Sequence, residues 1–166
     1  MAGQPLRFFC DEQLGKLARW LRIIGLDAKY QRKIDDSKLL SQARKEQRII
    51  LTRVSKLAEK DPQAQVVLLK TNYPAHQLRE VVEIFKHQVQ IKVFSRCAAC
   101  NGEIEPVPKC EVESLVPPYV AQTQERFTRC KTCGKIYWQA THRQRVEIQL
   151  RDILGELYRP EGEKEK

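Results

Sequence analysis

The stretch from residue 6 to residue 25, LRFFCDEQLGKLARWLRIIG, joins a short apolar run to a helical pattern through two acids. Leu6–Cys10 is typical of a buried strand, and Asp11 and Glu12 follow it directly. Leucine, alanine and isoleucine then recur every three or four residues up to Gly25, which predicts a helix with one apolar face that ends at this glycine. The stretch therefore predicts the opening unit of an α/β fold.

The same alternation of strands and helices continues to about residue 93. The patterns predict strands at Ala28–Tyr30, Arg48–Leu51 and Val66–Leu69, and helices after Asp35 and Asp36 and over Ala75–His87. Strands that alternate with helices form a parallel sheet, whose sites lie at the carboxyl ends of the strands. Asp11, Thr52 and Asn72 all fall at that edge.

The character of the chain changes at Phe94. Four prolines between residues 106 and 118 argue against long helices there, and short strand-like runs and turn residues dominate. We predict an α/β domain at 5–93, a small cysteine-rich domain at 94–150, and a helix end with a charged tail at 151–166. The tail beyond Arg159 is expected to be disordered.

Four of the six cysteines form two Cys-x-x-Cys pairs: Cys97, Cys100, Cys130 and Cys133. Two such pairs in a reducing compartment favour a metal over a disulfide, and four thiolates close a tetrahedral shell around a structural Zn²⁺. The alternative is four unliganded thiols or a redox pair. Cys110 lacks a partner two residues away, and Cys10 is expected to pack as a small apolar side chain.

Charge is distributed unevenly along the 166 residues, whose net charge is +9. Residues 1–94 hold 18 Lys and Arg against 10 Asp and Glu, whereas residues 95–166 hold 12 against 11. A basic excess of this kind favours a phosphate-rich partner, although it also occurs on surfaces that only keep a protein soluble. Lys16, Arg19 and Arg22 form a basic stripe on the first predicted helix.

The sequence contains no apolar run that approaches the roughly 20 residues of a membrane span. Its first residues, Met1 to Pro5, lack the apolar core of a secretory signal. We therefore expect a cytoplasmic protein.

Acidic side chains cluster in this otherwise basic first half. Asp11, Glu12, Asp35 and Asp36 all follow a strand or precede a helix near the predicted carboxyl edge. Carboxylates ringed by positive charge are typical of nucleases that use Mg²⁺ or Mn²⁺. The alternative is that Asp35 or Asp36 only caps a helix and that Asp11 only ends a strand.

Several segments together resemble the Mut-seven C-terminal ribonuclease family. They are FFCDEQLGKLARWLRIIGLDAKY, DD before SKLLSQA, RIILTR, HQL, RCAACN and YWQATH, and they extend from about Arg7 to about Gln149. The resemblance implies a PIN-like nuclease domain followed by a zinc ribbon, and metal-dependent cleavage of RNA. It implies Asp11 and Asp36, with Asp35 beside them, as catalytic acids that hold Mg²⁺ or Mn²⁺.

The resemblance also implies RNA contacts by the basic residues Lys16, Arg19, Arg22 and Arg53. His142 matches a family position near the end of the ribbon, at the RNA or at the domain interface. One position departs from the family pattern, because Val54 stands where an acid would follow Leu-Thr-Arg. Valine cannot bind a metal, so an RNA-binding protein that has lost catalysis is an alternative function. A protein-interaction adaptor is a third.

Overall fold

The computed structural model describes residues 4–138 and 141–162, which form a parallel sheet and an antiparallel sheet with helices around them. The first sheet consists of β1 to β4, at Arg7–Cys10, Asp27–Tyr30, Ile49–Thr52 and Val66–Leu68. The helices between and after these strands are α1 to α4, at Gly15–Ile23, Asp36–Lys45, Ser55–Lys60 and Pro74–Ile84. The predicted α/β class with a parallel sheet is confirmed.

The strand order β2-β1-β3-β4 puts β1 inside the sheet, with parallel neighbours on both sides. Its side chains alternate between two cores. Phe8 and Cys10 belong to the larger core with α1 and α4, whereas Phe9 belongs to the smaller core with α2 and α3. Burial on both faces explains why the strand is apolar at every position from Phe8 to Cys10.

Gly25 ends α1 as predicted. Its backbone adopts φ +92°, and its N–H donates to the carbonyl of Arg22 at 2.9 Å. A Cβ at this position would lie 2.6 Å from the carbonyl oxygen of Lys92. Both the backbone angle and the close approach of another segment require glycine here.

The helix α3 was not predicted. It has six residues, and Leu57 is its one fully buried side chain, so it offers no apolar period to detect. The helix matters because it follows β3 directly and therefore forms one wall of the cleft described below.

The second sheet is antiparallel, with strands β5, β6 and β7 at Ile104–Val107, Phe127–Cys130 and Ile136–Trp138. Two short helices, α5 (Lys109–Val112) and α6 (Pro118–Thr123), lie between β5 and β6 and pack their valines against Phe127. Pro108 and Pro117 precede these helices and Pro118 begins α6, where a missing N–H costs nothing, whereas Pro106 lies within β5.

The last helix, α7 at Thr141–Leu154, returns to the first sheet. Val146, Leu150 and Leu154 are buried in the larger core and pack against α4. This long helix differs from the short elements expected after residue 94, and the predicted boundary at residue 150 falls within it. The packing groups α7 with the α/β unit rather than with the cysteine-rich one.

The predicted disordered tail falls partly outside the described residues. Pro160 bridges to Ile91, whereas residues 163–166 lie beyond the description. None of the described helices has the length and apolar character needed to cross a membrane.

Candidate active site and metal centre

Asp11 is the first residue after β1 and is only 6% exposed. Its carboxylate accepts hydrogen bonds from the N–H of Gln13 at 2.9 Å and from the hydroxyl of Thr52 at 2.5 Å. Thr52 ends the neighbouring strand β3, and its Oγ1 accepts from the N–H of Val54 at 3.0 Å. The parallel register of β1 and β3 thus fixes one carboxylate at the carboxyl edge of the sheet.

A small cleft of about 60 Å³ opens at this edge. It brings together three of the predicted acids, Asp11, Glu12 and Asp36, with Thr52 and Val54. The predicted edge residue Asn72 is exposed and is not among the residues that line the cleft.

The neighbours Asp35 and Asp36 have different positions. Asp35 caps α2 by accepting from the N–H of Lys38 at 2.9 Å, and this bond lowers the pKa of its carboxyl group. Asp36 lines the cleft and pairs with the ammonium of Lys60 at the end of α3. Lys60 could not be linked to the site from sequence, because α3 itself was not predicted.

The donor set of the cleft suits an ion that takes only one or two protein carboxylates. Mg²⁺ is commonly held in this way, with waters and substrate phosphates completing its shell. Within the described ranges, the four cysteines are the one group of three or more potential ligands close enough to share an ion. Val54, 40% exposed at the cleft, contributes no ligand atom.

The predicted basic residues divide into two sets. Lys16, Arg19 and Arg53 are exposed. Arg22 is 7% exposed, and its guanidinium donates to the carbonyls of Ala28, Ala98 and Ala99 at 2.8, 3.2 and 3.1 Å. The burial of Arg22 does not suit the expected RNA contact. We assign it instead to the attachment of the first cysteine pair to α1 and β2.

The four predicted metal ligands converge, with Sγ atoms that all lie within 4.8 Å of one another. Cys97 and Cys133 are 3.8 Å apart and Cys100 and Cys130 are 3.4 Å apart, between sulfur atoms. A tetrahedral Zn²⁺ with Zn–S bonds of about 2.3 Å places its sulfur ligands roughly 3.8 Å apart. The cluster therefore fits one tetrahedral ion.

The surroundings of the cluster also suit thiolate ligands. The hydroxyl of Tyr137 lies 3.0 Å from Sγ of Cys97, and backbone N–H groups of Thr132 and Cys133 approach Sγ of Cys130 at 3.4 and 3.5 Å. Burial alone would raise the pKa of Cys97, but hydrogen bonds from Tyr137 and backbone amides outweigh it and lower that pKa. Burial and the neighbouring thiols raise the pKa of Cys100, so these contacts favour the thiolate at Cys97 and not at every cysteine of the cluster.

The two remaining cysteines lie outside the cluster. Cys10 is fully buried in the larger core, as predicted for a small apolar side chain, and burial raises the pKa of its thiol to about 12. Cys110 is exposed on α5.

A family model for the Mut7-C RNAse domain matches residues 6–150 of the chain. The match covers most of the 166 residues, and the chain belongs to this family. No curated protein matches the chain significantly.

Proposed function

We propose that this member of the Mut7-C family is a metal-dependent ribonuclease, with a PIN-like catalytic unit and a structural Zn²⁺ on the cysteine cluster. The observation that carries the proposal is the buried carboxylate of Asp11. It is held by Thr52 and the N–H of Gln13 in a cleft that it shares with Asp36. A nearly buried carboxylate at the carboxyl edge of a parallel sheet is a typical functional position.

The residues of the cleft have separable roles in this proposal. Thr52 and the backbone of Gln13 fix the orientation of Asp11, and Asp36 lines the same cleft from the first turn of α2. Asp11 and Asp36 would hold Mg²⁺ or Mn²⁺. When bound, such an ion lowers the pKa of water and offsets the charge of a phosphate group.

Exposed cations on α1 and directly after β3 would bind the RNA backbone. Lys16 and Arg19 project from α1, which follows the Asp11 turn, and Arg53 lies directly between Thr52 and Val54. Lys and Arg side chains bind phosphates with release of counterions, so affinity should fall steeply with salt. In this proposal the cysteine cluster has a structural role.

A cleavage assay with two matched variants tests the proposal. End-labelled single-stranded RNAs of mixed sequence are incubated with Mn²⁺, with Mg²⁺ and with EDTA. We expect Asp11→Asn to abolish cleavage, and Asp35→Asn to preserve it because asparagine also caps a helix. Equal activity of the wild-type protein and Asp11→Asn, or full activity in EDTA, would contradict the proposal.

A second candidate function is an RNA-binding protein that has lost catalysis. It is favoured by Val54, which lines the cleft without a ligand atom, and by Lys60, whose ammonium already pairs with Asp36. On this alternative, wild-type protein binds RNA but leaves it intact with both metals. The same assay, read together with a binding titration, separates the two functions.

A further inference from the structure

A second, larger groove lies where α1, the antiparallel sheet and the start of α7 meet. Its volume is about 460 Å³, which falls in the range of small-ligand sites. It is separate from the Asp11 cleft, since the two share no lining residue. Its walls combine aromatic rings with a marked excess of cations.

The charge of the groove suits a polyanion. Five basic side chains line it, namely Arg19, Arg96, Lys109, Arg126 and Arg143, against one carboxylate, Glu125. Glu125 pairs with Lys109 at 2.8 Å, and Arg143 pairs with Glu147 at 3.1 Å. In the part of the chain that the structure describes, the side chains of Arg19 and Arg126 are exposed and form no ion pair or hydrogen bond. These two guanidinium groups are available to phosphates.

The aromatic side chains of the groove differ in what already contacts them. The guanidinium of Arg143 lies 5.3 Å from the centre of the Phe94 ring, and the hydroxyl of Tyr137 is bonded to Cys97. Trp138 is half-buried because it packs against the apolar cluster around Phe127. Among the described residues, neither a second ring nor a cation stacks on the rest of its indole. Trp138 is therefore the ring best able to accept a flat ligand.

We propose that this groove binds single-stranded RNA, with one base stacked on Trp138 and the flanking phosphates held by Arg19 and Arg126. The inference deepens the proposed function and rests on it for the identity of the ligand as RNA. Stacking on aromatic rings between cations is how proteins hold unpaired nucleotides with little sequence preference. Paired bases keep their faces inside the helix, so a duplex would reach only the arginines.

Other occupants fit the groove less well. An apolar peptide would cover Trp138 but leave Arg19 and Arg126 without counter-charges. An acidic peptide would neutralise the arginines but leave the indole face without a flat partner. An unpaired nucleotide supplies both a phosphate and a base, which matches both features of the wall.

The first helix connects the groove to the cleft. α1 begins four residues after Asp11 and carries Arg19 into the groove wall. Its nine residues span about 13 Å at 1.5 Å per residue. α1 thus links the two sites along the chain, and in this proposal the groove positions the strand to be cleaved.

Binding of labelled RNA to the full, zinc-loaded chain tests the proposal. The probes are a fluorescein-labelled single-stranded 12-mer and a hairpin of the same composition, titrated in EDTA-free buffer without Mn²⁺ or Mg²⁺. We expect Trp138→Ala to weaken binding of the single strand about 5- to 150-fold, since one base stack contributes on the order of 1–3 kcal/mol. We expect Trp138→Phe to retain part of the affinity, and hairpin binding to change little.

Matched controls separate the groove from general effects. Tyr119→Ala removes an exposed ring outside the groove, and Lys45→Ala removes an exposed charge outside it. We expect both variants to bind the single strand like the wild-type protein. We expect Arg126→Glu to weaken binding of the single strand. Zinc content and the unfolding midpoint of each variant establish that the fold is intact.

A fluorescence measurement covers the case in which Trp138→Ala fails to fold. Trp20 and Trp138 are the two tryptophans of the chain, and Trp20→Phe leaves Trp138 as the sole reporter. Stacking of a base should quench the emission of Trp138 as RNA is added. An unchanged emission at saturating RNA, or equal affinities of Arg126→Glu and Lys45→Ala, would overturn the proposal.

The binding experiments test the groove separately from the proposed catalysis. If the protein cleaves RNA through Asp11 but the groove variants bind like their controls, the groove assignment fails and the proposed ribonuclease stands. If the groove variants lose single-strand binding while no RNA is cleaved with either metal, the groove assignment stands and the proposed catalysis fails.

Discussion

Nδ2 of Asn101, the residue that follows the first cysteine pair, donates to Oδ1 of Asp27 on β2 across 2.7 Å. Oδ1 of Asn101 accepts from the N–H of Ala28 at 3.0 Å. Both ends of one amide therefore bond to the edge strand of the parallel sheet. With the three carbonyl bonds of Arg22, this contact attaches the cysteine cluster to the α/β unit.

The first prediction concerns this attachment. Asn101→Gly keeps a residue that tolerates the observed φ of 72° but removes both amide bonds, so we expect it to lower the free energy of unfolding by about 1–3 kcal/mol. Urea unfolding at neutral pH measures the loss. Asn72→Gly is the matched control, because Asn72 is exposed, and a similar loss in both variants would contradict the assigned role.

A second prediction concerns the acid sensitivity of Asp27. Burial alone would raise the pKa of this carboxyl group, but hydrogen bonds from Arg48 and Asn101 outweigh it and hold the pKa below its ordinary value of 3.8. A lowered folded-state pKa stabilises the protein above the unfolded-state pKa, and this contribution is lost as the pH falls through the folded-state value.

Asp27→Asn should therefore be less stable than the wild-type protein at pH 7, with a gap that shrinks as the pH falls below about 4. Urea unfolding at both pH values measures the two gaps. Asp152→Asn is the control, since Asp152 is exposed on α7 and no partner for it is found among the described residues. If the stability difference between Asp27→Asn and the wild-type protein is the same at pH 7 and at pH 3, the charge of Asp27 does not contribute to stability.

The sequence predicted the parallel sheet well, because its strands are short apolar runs bounded by polar residues. The first strand and α1 begin and end within a residue or two of the expected positions. The helix α3 escaped prediction since it has a single fully buried side chain. The docking of α7 on α4 joins segments more than 50 residues apart, and no local pattern in either helix specifies that partner.

The candidate site was predicted in part. The chain pattern located Asp11 at a strand end, but Asp35 and Asp36 are equally suited to cap a helix, and only the backbone geometry separates them. Arg19 and Arg22 differ by three positions, about 60° around a helix. Because of that angle, Arg19 lies in solvent, whereas Arg22 donates to the carbonyls of Ala98 and Ala99. These carbonyls belong to a segment more than 70 residues away along the chain.

A third prediction concerns the proposed Zn²⁺. Elemental analysis of the purified chain should find one zinc per molecule, and Cys130→Ser should lose it because one missing thiolate opens the shell. Tyr137→Phe removes the hydroxyl that lies 3.0 Å from Sγ of Cys97. Loss of such a supporting hydrogen bond typically lowers metal affinity about 10- to 100-fold.

Competition with a chromogenic chelator measures the zinc affinity of Tyr137→Phe. Tyr119→Phe, at an exposed position on α6, is the matched control and should behave like the wild-type protein. A purified chain without zinc would exclude the proposed metal, and equal affinities of the two phenylalanine variants would exclude a supporting role for Tyr137.

The last prediction concerns Val54, whose side chain lines the cleft beside Asp11 and Asp36. Val54→Asp would add a carboxylate at the position where the family resemblance implies an acid. If the cleft holds a metal, the added charge should raise the rate of RNA cleavage with Mn²⁺. A gain on the order of 10²–10³ corresponds to one additional interaction that stabilises the transition state.

The position of Val54 provides an internal control for this substitution. Val54 immediately precedes α3 and gives that helix no side-chain cap, so both Asp and Asn here should stabilise the fold, by about 0.5–2 kcal/mol. Only Asp adds a charged ligand. Val54→Asn should therefore raise the unfolding midpoint without raising cleavage, while Val54→Asp raises both. If the wild-type protein and both variants are inert with Mn²⁺ while RNA binding persists, the ribonuclease proposal gives way to the RNA-binding protein.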